Sequence, residues 1–553
     1  MKEEKTTYKR LKNRIHLFLA LILTIHCVFY LVYWFSIGDF RETVDIYIAD
    51  FVGFSLPFTI ILMVLSGLIG LWSLGRFVRL RVALKKKEWH PGIVNWIYSG
   101  VLSLFLILFY VSFVIILREN PSQRGVLVHL LNISRLGGDP LIFLLASILL
   151  RRLILDLRRK MKAARSRWLY SAGIFLVLVS IVGLWLLPAV FSPNWAYRDG
   201  LPAKPALMAH RGASMLSPEN TLAAIELAAE YQAFGFETDV RISRDGIPFL
   251  MHDETLARTT NVAEVFPERV DDRASNFSMD FLNQLNAGLW FIQQDPFGSI
   301  DAGLVSQSQL GINQGQKILT LSESLAAVDQ DGLVILFDMR DPPPDHPYYE
   351  EFFNIVLNEC RESGLDDEIW FMVGWGRLAE VREHAPQLTR VIGVQSTDLP
   401  SPQRLLEAGY EIINVDTGIF AKEIQTYREK GLGVNVYTID QPWLFSQFWL
   451  SGVTSVTTNN VHTFSQIERP SLNIPHSRYL LYWGLFGIIV AIWLASSQPE
   501  PEPNEPNELK TPDLMDFALD TEQEPSPPAE HQKDERHLEE QEDHVQENGG
   551  SEE

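Results

Sequence analysis

The chain has 553 residues, a formal net charge of −21 and 47% hydrophobic residues. This length allows more than one domain, so averages over the whole chain describe none of its parts. The two cysteines, Cys27 and Cys360, give no basis for a disulfide framework. Roughly sixteen of the net negative charges lie in the last 55 or so residues, which leaves the remainder close to balanced.

Long apolar runs dominate the first part of the chain. Four of them, at about 16–37, 51–75, 93–117 and 169–190, approach the ~20 residues that a helix needs to cross a bilayer. A fifth run at 126–150 carries Arg135 and Asp139, which are costly at bilayer depth, so an interfacial helix with a short re-entrant piece is the alternative there. With the run at 479–495, we predict about six spans: five in residues 1–191 and a sixth at 479–496.

The distribution of basic residues predicts the orientation of these spans. Lys and Arg cluster at 2–14, 76–87 and 151–167, which the positive-inside rule places in the cytoplasm. Both termini are then cytoplasmic, and residues 192–478 are extracellular or lumenal, in the plasma membrane or a secretory-pathway membrane. The sequon at Asn276, a glycosylation candidate, agrees with this side. The acidic segment 497–553 is predicted to be a disordered cytoplasmic tail.

The region 192–470 has the alternation of short strands and helices that is typical of a parallel α/β fold. Eight such strands predict a TIM-type (β/α)8 barrel beside the α-helical membrane bundle. We place them at 206–210, 235–240, 333–338, 369–373, 390–395, 411–415, 433–438 and 453–457. A ninth run, 248–252, follows so closely that it permits only a hairpin. Residues 262–320 show no sustained period and are interpreted as a long insertion that shapes a site.

Residues suited to catalysis follow the predicted strands. They are His210 and Arg211 after the first strand, Glu237 and Asp239 on the second, His252 and Asp253 after the hairpin, and Asp338 and Arg340 at the third. Barrel enzymes keep their active sites at these carboxyl ends of strands. Residues two apart on a strand face the same side, so Glu237 and Asp239 can share one cation.

The residue types indicate a reaction. Three carboxylates suit a hard divalent cation, Ca²⁺ or Mg²⁺. Two histidines beside that cation can divide acid and base work, and an arginine can bind a phosphate oxygen. Together they point to cleavage of a phosphodiester.

Two segments, MAHRGASMLSPENT and FETDVRISRDGIPFLMHDETLARTTN, resemble the signature of glycerophosphodiester phosphodiesterase domains over residues 205–465. The predicted spans and the segment RDPPPDHPYYEEFF are similar to the multi-pass, six-span membrane subfamily found in animals. The resemblance implies an acid/base pair in His210 and His252, a phosphate contact in Arg211, and metal ligands in Glu237 and Asp239. It also implies that the substrate's glycerol hydroxyl attacks phosphorus and that water then opens the cyclic product.

Four positions depart from the pattern of that family. Asp338 stands where a third acidic ligand is commonly Glu, Arg340 where Lys is common, Tyr437 where Trp is usual, and Asn459 where Asp is usual. We assign Arg340, Tyr437 and Asn220 to substrate binding, and we expect Asn220 to be the N-cap of the helix that follows the first strand.

Three functional hypotheses remain open at this stage. The first is metal-dependent hydrolysis of glycerophosphodiesters such as glycerophosphoinositol or glycerophosphocholine, or of lysophospholipids and other lipid-linked relatives, with membrane lipids as neighbours. The second is a weakly active or silent membrane receptor or signalling protein whose barrel binds a phosphodiester ligand.

The third hypothesis, a transporter, is disfavoured because few charged residues lie within the spans. Nucleic acid is disfavoured because the basic residues form no stripe on the folded region. The oligomeric state is left unknown.

Overall fold

The computed structural model describes residues 2–36, 45, 56–85, 100, 121–163, 167–198 and 200–496. The acidic segment 497–553 lies outside the described residues, as does the predicted span 93–117 apart from residue 100.

Long helices make up the described part that precedes residue 191. They are α1 (Lys2–Ser36), α2 (Phe58–Lys85), α3 (Pro121–Ala163) and α4 (Arg167–Val190). Within the described residues, the stretches Phe58–Val82 and Arg167–Val190 are long and apolar enough to cross a bilayer, and His16–Val32 is a shorter apolar stretch. The predicted count of six therefore stays a prediction. Leu176, Leu187 and other large apolar side chains of these helices are exposed, which is unusual on a water-facing surface.

The other helices lie in or after the barrel region. They are α5 (Leu222–Glu230), α6 (Val262–Val265), α7 (Met279–Leu282), α8 (Leu289–Gln294), α9 (Gln307–Gln314), α10 (Leu321–Asp331), α11 (Phe352–Glu362), α12 (Leu378–His384), α13 (Pro402–Ala408), α14 (Ala421–Glu429), α15 (Pro442–Ser451), α16 (Val461–Ser465) and α17 (His476–Ser496). Two 3₁₀ turns, Pro267–Arg269 and Ala274–Asn276, lie in the insertion.

Eight parallel strands close into a barrel. They are among the eleven strands of the described residues: β1 (Ala196–Tyr197), β2 (Ala206–His210), β3 (Gly235–Ile242), β4 (Pro248–Leu250), β5 (Val334–Met339), β6 (Ile369–Met372), β7 (Thr389–Val394), β8 (Ile412–Asp416), β9 (Gly433–Tyr437), β10 (Ser455–Thr458) and β11 (Ile474–Pro475). The ring runs β2-β10-β9-β8-β7-β6-β5-β3, and the pairing of β2 with β3 closes it. β4 lies antiparallel to β3 as the predicted hairpin. The eight-stranded barrel predicted from the sequence is confirmed, with strand ends within two residues of those expected.

Strand alternation divides the barrel interior into two levels. An apolar cluster fills its amino-terminal part, formed by Met208, Val334, Leu336, Trp370, Val391 and Ile412. Two residues farther along their strands, Met208 is followed by His210 and Leu336 by Asp338. Because side chains on one face repeat every two residues, the polar side chains stand directly above this apolar floor.

The insertion 262–320 is more structured than its sequence indicated. It contains α6 to α9, each of four to eight residues. Its apolar side chains pack into a separate buried cluster that includes Phe249, Leu256, Phe277, Leu282, Leu285 and Ile318. Helices this short span one or two turns, so they leave no sustained period in the sequence.

The run 126–150 lies within one continuous helix, α3. Its Arg135 pairs with Asp139 at 3.0 Å, and the Arg135 guanidinium also donates to the carbonyl of Phe191. The carbonyl of Asn132 accepts a 2.9 Å hydrogen bond from the Trp195 indole, and its amide donates to Gln447 of α15 at 3.3 Å. The first part of α3 therefore packs against the barrel. Arg135 and Asp139, the two charges that are costly in a span, form an ion pair with each other.

Candidate active site

Strand register brings the candidate catalytic residues together. His210 lies opposite Glu237 in the β2–β3 pairing, and Asp239 lies opposite Asp338 in the β3–β5 pairing. Two neighbouring strand pairs thus set a histidine and three carboxylates side by side at the carboxyl edge of the barrel.

A tight turn after β2 positions His210 and Arg211. Arg211 and Gly212 both have positive φ, at 57° and 82°. A Cβ at Gly212 would lie 2.6 Å from the Ala224 side chain, so glycine is required both for its φ and for this close approach to α5.

Asn220 supports this turn and is not the N-cap of α5, contrary to the sequence-based expectation. Its φ is 59°, its backbone N–H donates to the Arg211 carbonyl at 3.0 Å, and its side-chain oxygen accepts from Thr238 at 2.7 Å. Thr221 caps the helix instead, accepting from the Ala224 N–H. A capping residue needs extended backbone, which the left-handed Asn220 does not have. Asn220 is buried behind the site, which argues against the predicted contact with substrate.

A cavity of about 550 Å³ opens above the turn. Its lining includes every other predicted catalytic, metal-binding or substrate-binding residue: His210, Arg211, Glu237, Asp239, His252, Asp338, Arg340 and Tyr437. The remaining wall comes from β6 to β10 and includes Met372, Gln395, Asn414 and Thr457. Among these lining residues, Tyr437 is the single Phe, Tyr or Trp side chain. The sequon residue Asn276 is exposed on the insertion, away from this cavity wall.

The carboxylates are crowded and only partly neutralised. Asp239 is almost fully buried and accepts from Arg340 at 2.8 and 3.0 Å, while Arg340 also contacts Asp338 at 3.1 Å. Burial and the nearby charge of Asp239 raise the pKa of Glu237 well above its ordinary value, and burial raises the pKa of Asp338. An additional positive charge nearby would stabilise the ionised forms of these carboxylates.

The donor set fits a divalent cation. One oxygen of Glu237 (Oε2) and one of Asp239 (Oδ2) are buried without a hydrogen-bond partner. Within the described residues no group of three or more His, Cys, Asp and Glu side chains is arranged as a metal site. The Arg340 guanidinium lies between Asp239 and Asp338. Oxygen donors of this kind are those that Ca²⁺ and Mg²⁺ prefer.

A chain of ion pairs joins Arg211 to His252. Arg211 contacts Glu219 at 2.9 Å, and Arg258 donates to both Glu219 (2.7 Å) and Asp253 (2.6 Å). Asp253 in turn contacts His252 Nδ1 at 2.7 Å. Burial opposes the charge of both acids, yet hydrogen bonds from Arg258, together with Arg211 or His252, hold the pKa of Glu219 and of Asp253 below their ordinary values. The pattern of the sequence predicted no role for Glu219 or Arg258, although both lie inside the two signature segments.

His210 has a different environment. Its Nδ1 lies 2.8 Å from the side-chain oxygen of Asn459, and its Nε2 lies 3.6 Å from Glu237. Burial and the nearby charge of Arg211 lower the pKa of His210 to about 4. The ring is therefore neutral at physiological pH.

Comparisons with known proteins relate the barrel to one family. Residues 210–463 match the model of the glycerophosphoryl diester phosphodiesterase family, the family that the signature segments resemble. The chain is 38% identical over 302 residues to a glycerophosphoinositol inositolphosphodiesterase of Mus musculus, a match that covers 54% of each chain. It is 36% identical to the glycerophosphodiester phosphodiesterase domain-containing protein 5 of Gallus gallus, over 59% of this chain and 53% of that one. It thus spans about half the length of these relatives.

Among solved structures, the barrel is similar to a phosphodiesterase of Oleispira antarctica in complex with the product sn-glycerol-3-phosphate. The sequence identity is 23% and the TM-score is 0.38, over 47% of this chain and 95% of that one.

We expect Arg258→Met to lower the free energy of unfolding by about 2 kcal/mol, because Glu219 and Asp253 then lose charged hydrogen bonds. The loss is no larger because Arg258 is partly exposed and solvent screens its charge. That corresponds to a fall of about 4–8 °C in the apparent Tm of the purified full chain. Arg361→Met, which removes the exposed pair with Glu362, is the control and should change Tm little.

The same pairs predict a pH dependence of stability. Both acids have folded pKa values below those of the unfolded chain, about 4, so their contribution is complete above that pH and is lost as pH falls. The decline of Tm in acid should be shallower in Arg258→Met than in the wild type. An equal decline in the two proteins would contradict this assignment.

Proposed function

We propose that the protein hydrolyses glycerophosphodiesters in a reaction that depends on a divalent cation, with the substrate bound in the barrel cavity. One observation carries the proposal: two histidines with different partners, three carboxylates and Arg211 all line one cavity at the carboxyl edge of the barrel. The family model that the barrel matches and the name of the mouse relative, a glycerophosphoinositol inositolphosphodiesterase, support the same substrate class.

The partners of the two histidines divide the acid and base roles. His210 faces the neutral amide of Asn459 and is uncharged, which suits a base that takes a proton from the attacking hydroxyl. His252 Nδ1 contacts the carboxylate of Asp253, which orients the ring at the cavity wall, and we assign His252 the role of the acid that donates a proton to the leaving oxygen.

Arg211 and the carboxylates organise the phosphate. Arg211 is fixed by Glu219, and its guanidinium reaches the cavity, where it can donate to a phosphate oxygen. Glu237, Asp239 and Asp338 would hold the cation through oxygens that accept no hydrogen bond or that contact Arg340. When bound, a divalent cation there supplies positive charge that polarises the phosphoryl oxygens. Tyr437 and Arg340, which also line the cavity, would contact the substrate.

The topology favours water-soluble substrates over lipids that stay in a bilayer. The segments that enter and leave the barrel, β1 and β11, pair with each other, and they lead directly to α4 and α17. Both connect at the amino-terminal edge, whereas the cavity opens at the opposite edge. If α4 and α17 cross a membrane, the cavity mouth points away from it.

Turnover by the purified full chain tests the proposal. The panel is soluble glycerophosphoinositol and glycerophosphocholine, and lysophosphatidylinositol in phosphatidylcholine vesicles, each with and without EDTA. We expect chelator-sensitive release of glycerol phosphate or of the phosphorylated headgroup, faster from the soluble diesters. Absence of turnover with every substrate at millimolar Ca²⁺ and Mg²⁺ would overturn the proposed activity.

We also propose that α4, α17 and the other predicted spans place residues 192–478 on the non-cytosolic side, with both termini in the cytosol. The basic clusters and the exposed apolar faces of the helices support this placement. We expect a C-terminal epitope to be reached by antibody only after permeabilisation, and an epitope inserted in the exposed 301–304 turn to be reached without it. The reverse pattern would show that the span count is wrong, most simply at 126–150.

A further inference from the structure

Asn459, at the end of β10, touches His210 across the barrel closure. Its side-chain oxygen lies 2.8 Å from His210 Nδ1 and accepts from the Ser214 hydroxyl at 2.7 Å. On its other side, the Asn459 amide nitrogen donates to Asp440 Oδ2 at 2.7 Å. Asp440 also accepts from the Asn459 backbone N–H at 2.7 Å and from the Thr458 hydroxyl at 3.2 Å.

These contacts are compatible with one orientation of the Asn459 amide and one position of the His210 ring proton. A carboxylate only accepts hydrogen bonds, so Asp440 requires the NH₂ end of the Asn459 amide. The oxygen end must then face His210, and an oxygen there accepts only if His210 Nδ1 carries the proton. The Nε2 atom is left with a free lone pair on the side of the cavity and Glu237. The Ser214 hydroxyl can rotate to suit either end of an amide, so it does not decide the orientation.

We propose that Asp440 and Asn459 are positioning residues that hold His210 in its Nδ1–H tautomer and so present Nε2 as the proton acceptor. This inference rests on the proposed function only for its effect on turnover, because the tautomer itself can be observed without substrate. The two residues belong to the turns after β9 and β10, so they can reach His210 only in the closed barrel, where β10 pairs with β2.

Asp440→Asn is expected to favour the opposite tautomer of His210, with the proton on Nε2. The new amide at position 440, if its oxygen still accepts from the Asn459 backbone, must turn its own NH₂ toward the Asn459 side chain. Asn459 then has to flip its oxygen toward position 440 and its NH₂ toward His210, which forces Nδ1 to accept and moves the proton to Nε2. The double variant Asp440→Asn/Asn459→Asp restores an acceptor opposite Nδ1, while the new NH₂ at position 440 donates to the new carboxylate.

The experiment is nitrogen-15 magnetic resonance of the histidine-labelled full chain, with the His210 signals identified by their loss in His210→Ala. We expect protonated Nδ1 in the wild type, protonated Nε2 in Asp440→Asn, and protonated Nδ1 again in the double variant. Ser214→Ala should keep the wild-type tautomer. In parallel, kcat should fall about 100-fold in Asp440→Asn with KM changed less than about twofold, and the double variant should recover most of kcat.

The two readouts separate the possible failures. Protonated Nε2 in the wild type, or an unchanged tautomer in folded Asp440→Asn, overturns the positioning role whatever the activity. The expected tautomers in a chain that turns over no diester keep the positioning role and reject the proposed function. If Asp440→Asn does not fold, protonated Nε2 in the wild type or in the double variant still overturns the positioning role, because both proteins present an acceptor to Nδ1.

Discussion

His252→Ala and His210→Ala are each expected to lower kcat on the best diester by about 10²–10⁴-fold, because a positioned proton-transfer group contributes that much. Both side chains line the cavity, and neither belongs to the apolar floor, so the barrel should stay folded. The measurement is steady-state turnover by the purified full chain, with the apparent Tm as the folding check. His384→Ala, at an exposed position at the end of α12, is the matched control and should keep full activity.

A change of leaving group distinguishes the two histidines. A diester that releases p-nitrophenol needs little help from an acid, because its leaving oxygen is stable as an anion. We expect this substrate to recover much of the activity lost in His252→Ala and little of that lost in His210→Ala. Recovery in His210→Ala alone would mean that the roles are exchanged, and full kcat in either variant on a natural diester would mean that the assigned pair is wrong.

The second large effect concerns the carboxylates. Glu237→Ala is expected to abolish cation binding and turnover together, since it removes a carboxylate that has a buried oxygen without a hydrogen bond. Asp338→Glu should lower the cation concentration for half-maximal activity several-fold, because the longer side chain reaches farther toward the cation and past Arg340, whose guanidinium contacts Asp338 at 3.1 Å. Calorimetric titration with Ca²⁺ and Mg²⁺ measures binding independently of turnover.

Asp341→Asn serves as the control for that titration, since it removes a neighbouring negative charge that does not line the cavity. It should shift cation affinity far less than either change at a proposed ligand. If no cation binds in the millimolar range, no substrate is hydrolysed and Glu237→Ala changes nothing, the barrel is better described as a silent ligand-binding module. Arg340 would then be the permanent counter-charge of Asp239 and Asp338.

Particular residues show where reasoning from sequence succeeded and where it failed. The spacing of Glu237 and Asp239 placed both in one cavity, because strand periodicity is local and has a period of two. Asn220 was misassigned because its left-handed backbone is set by the turn beneath it, which an N-cap rule does not detect. The short helices of 262–320 were missed because one or two turns carry too little periodicity.

The sequence by itself determined the residue types at the strand ends, the eight-strand rhythm and the family signature, all of which are local patterns. Only the tertiary structure decided which of those residues meet. The register of β2, β3 and β5 paired His210 with Glu237 and Asp239 with Asp338, and Arg258 reached Glu219 across 39 positions. The contact between His210 and Asn459 joins residues 249 positions apart, and it exists because the barrel closes between its first and last strands. Closure depends on the packing of the whole barrel, so no local pattern in the sequence specifies it.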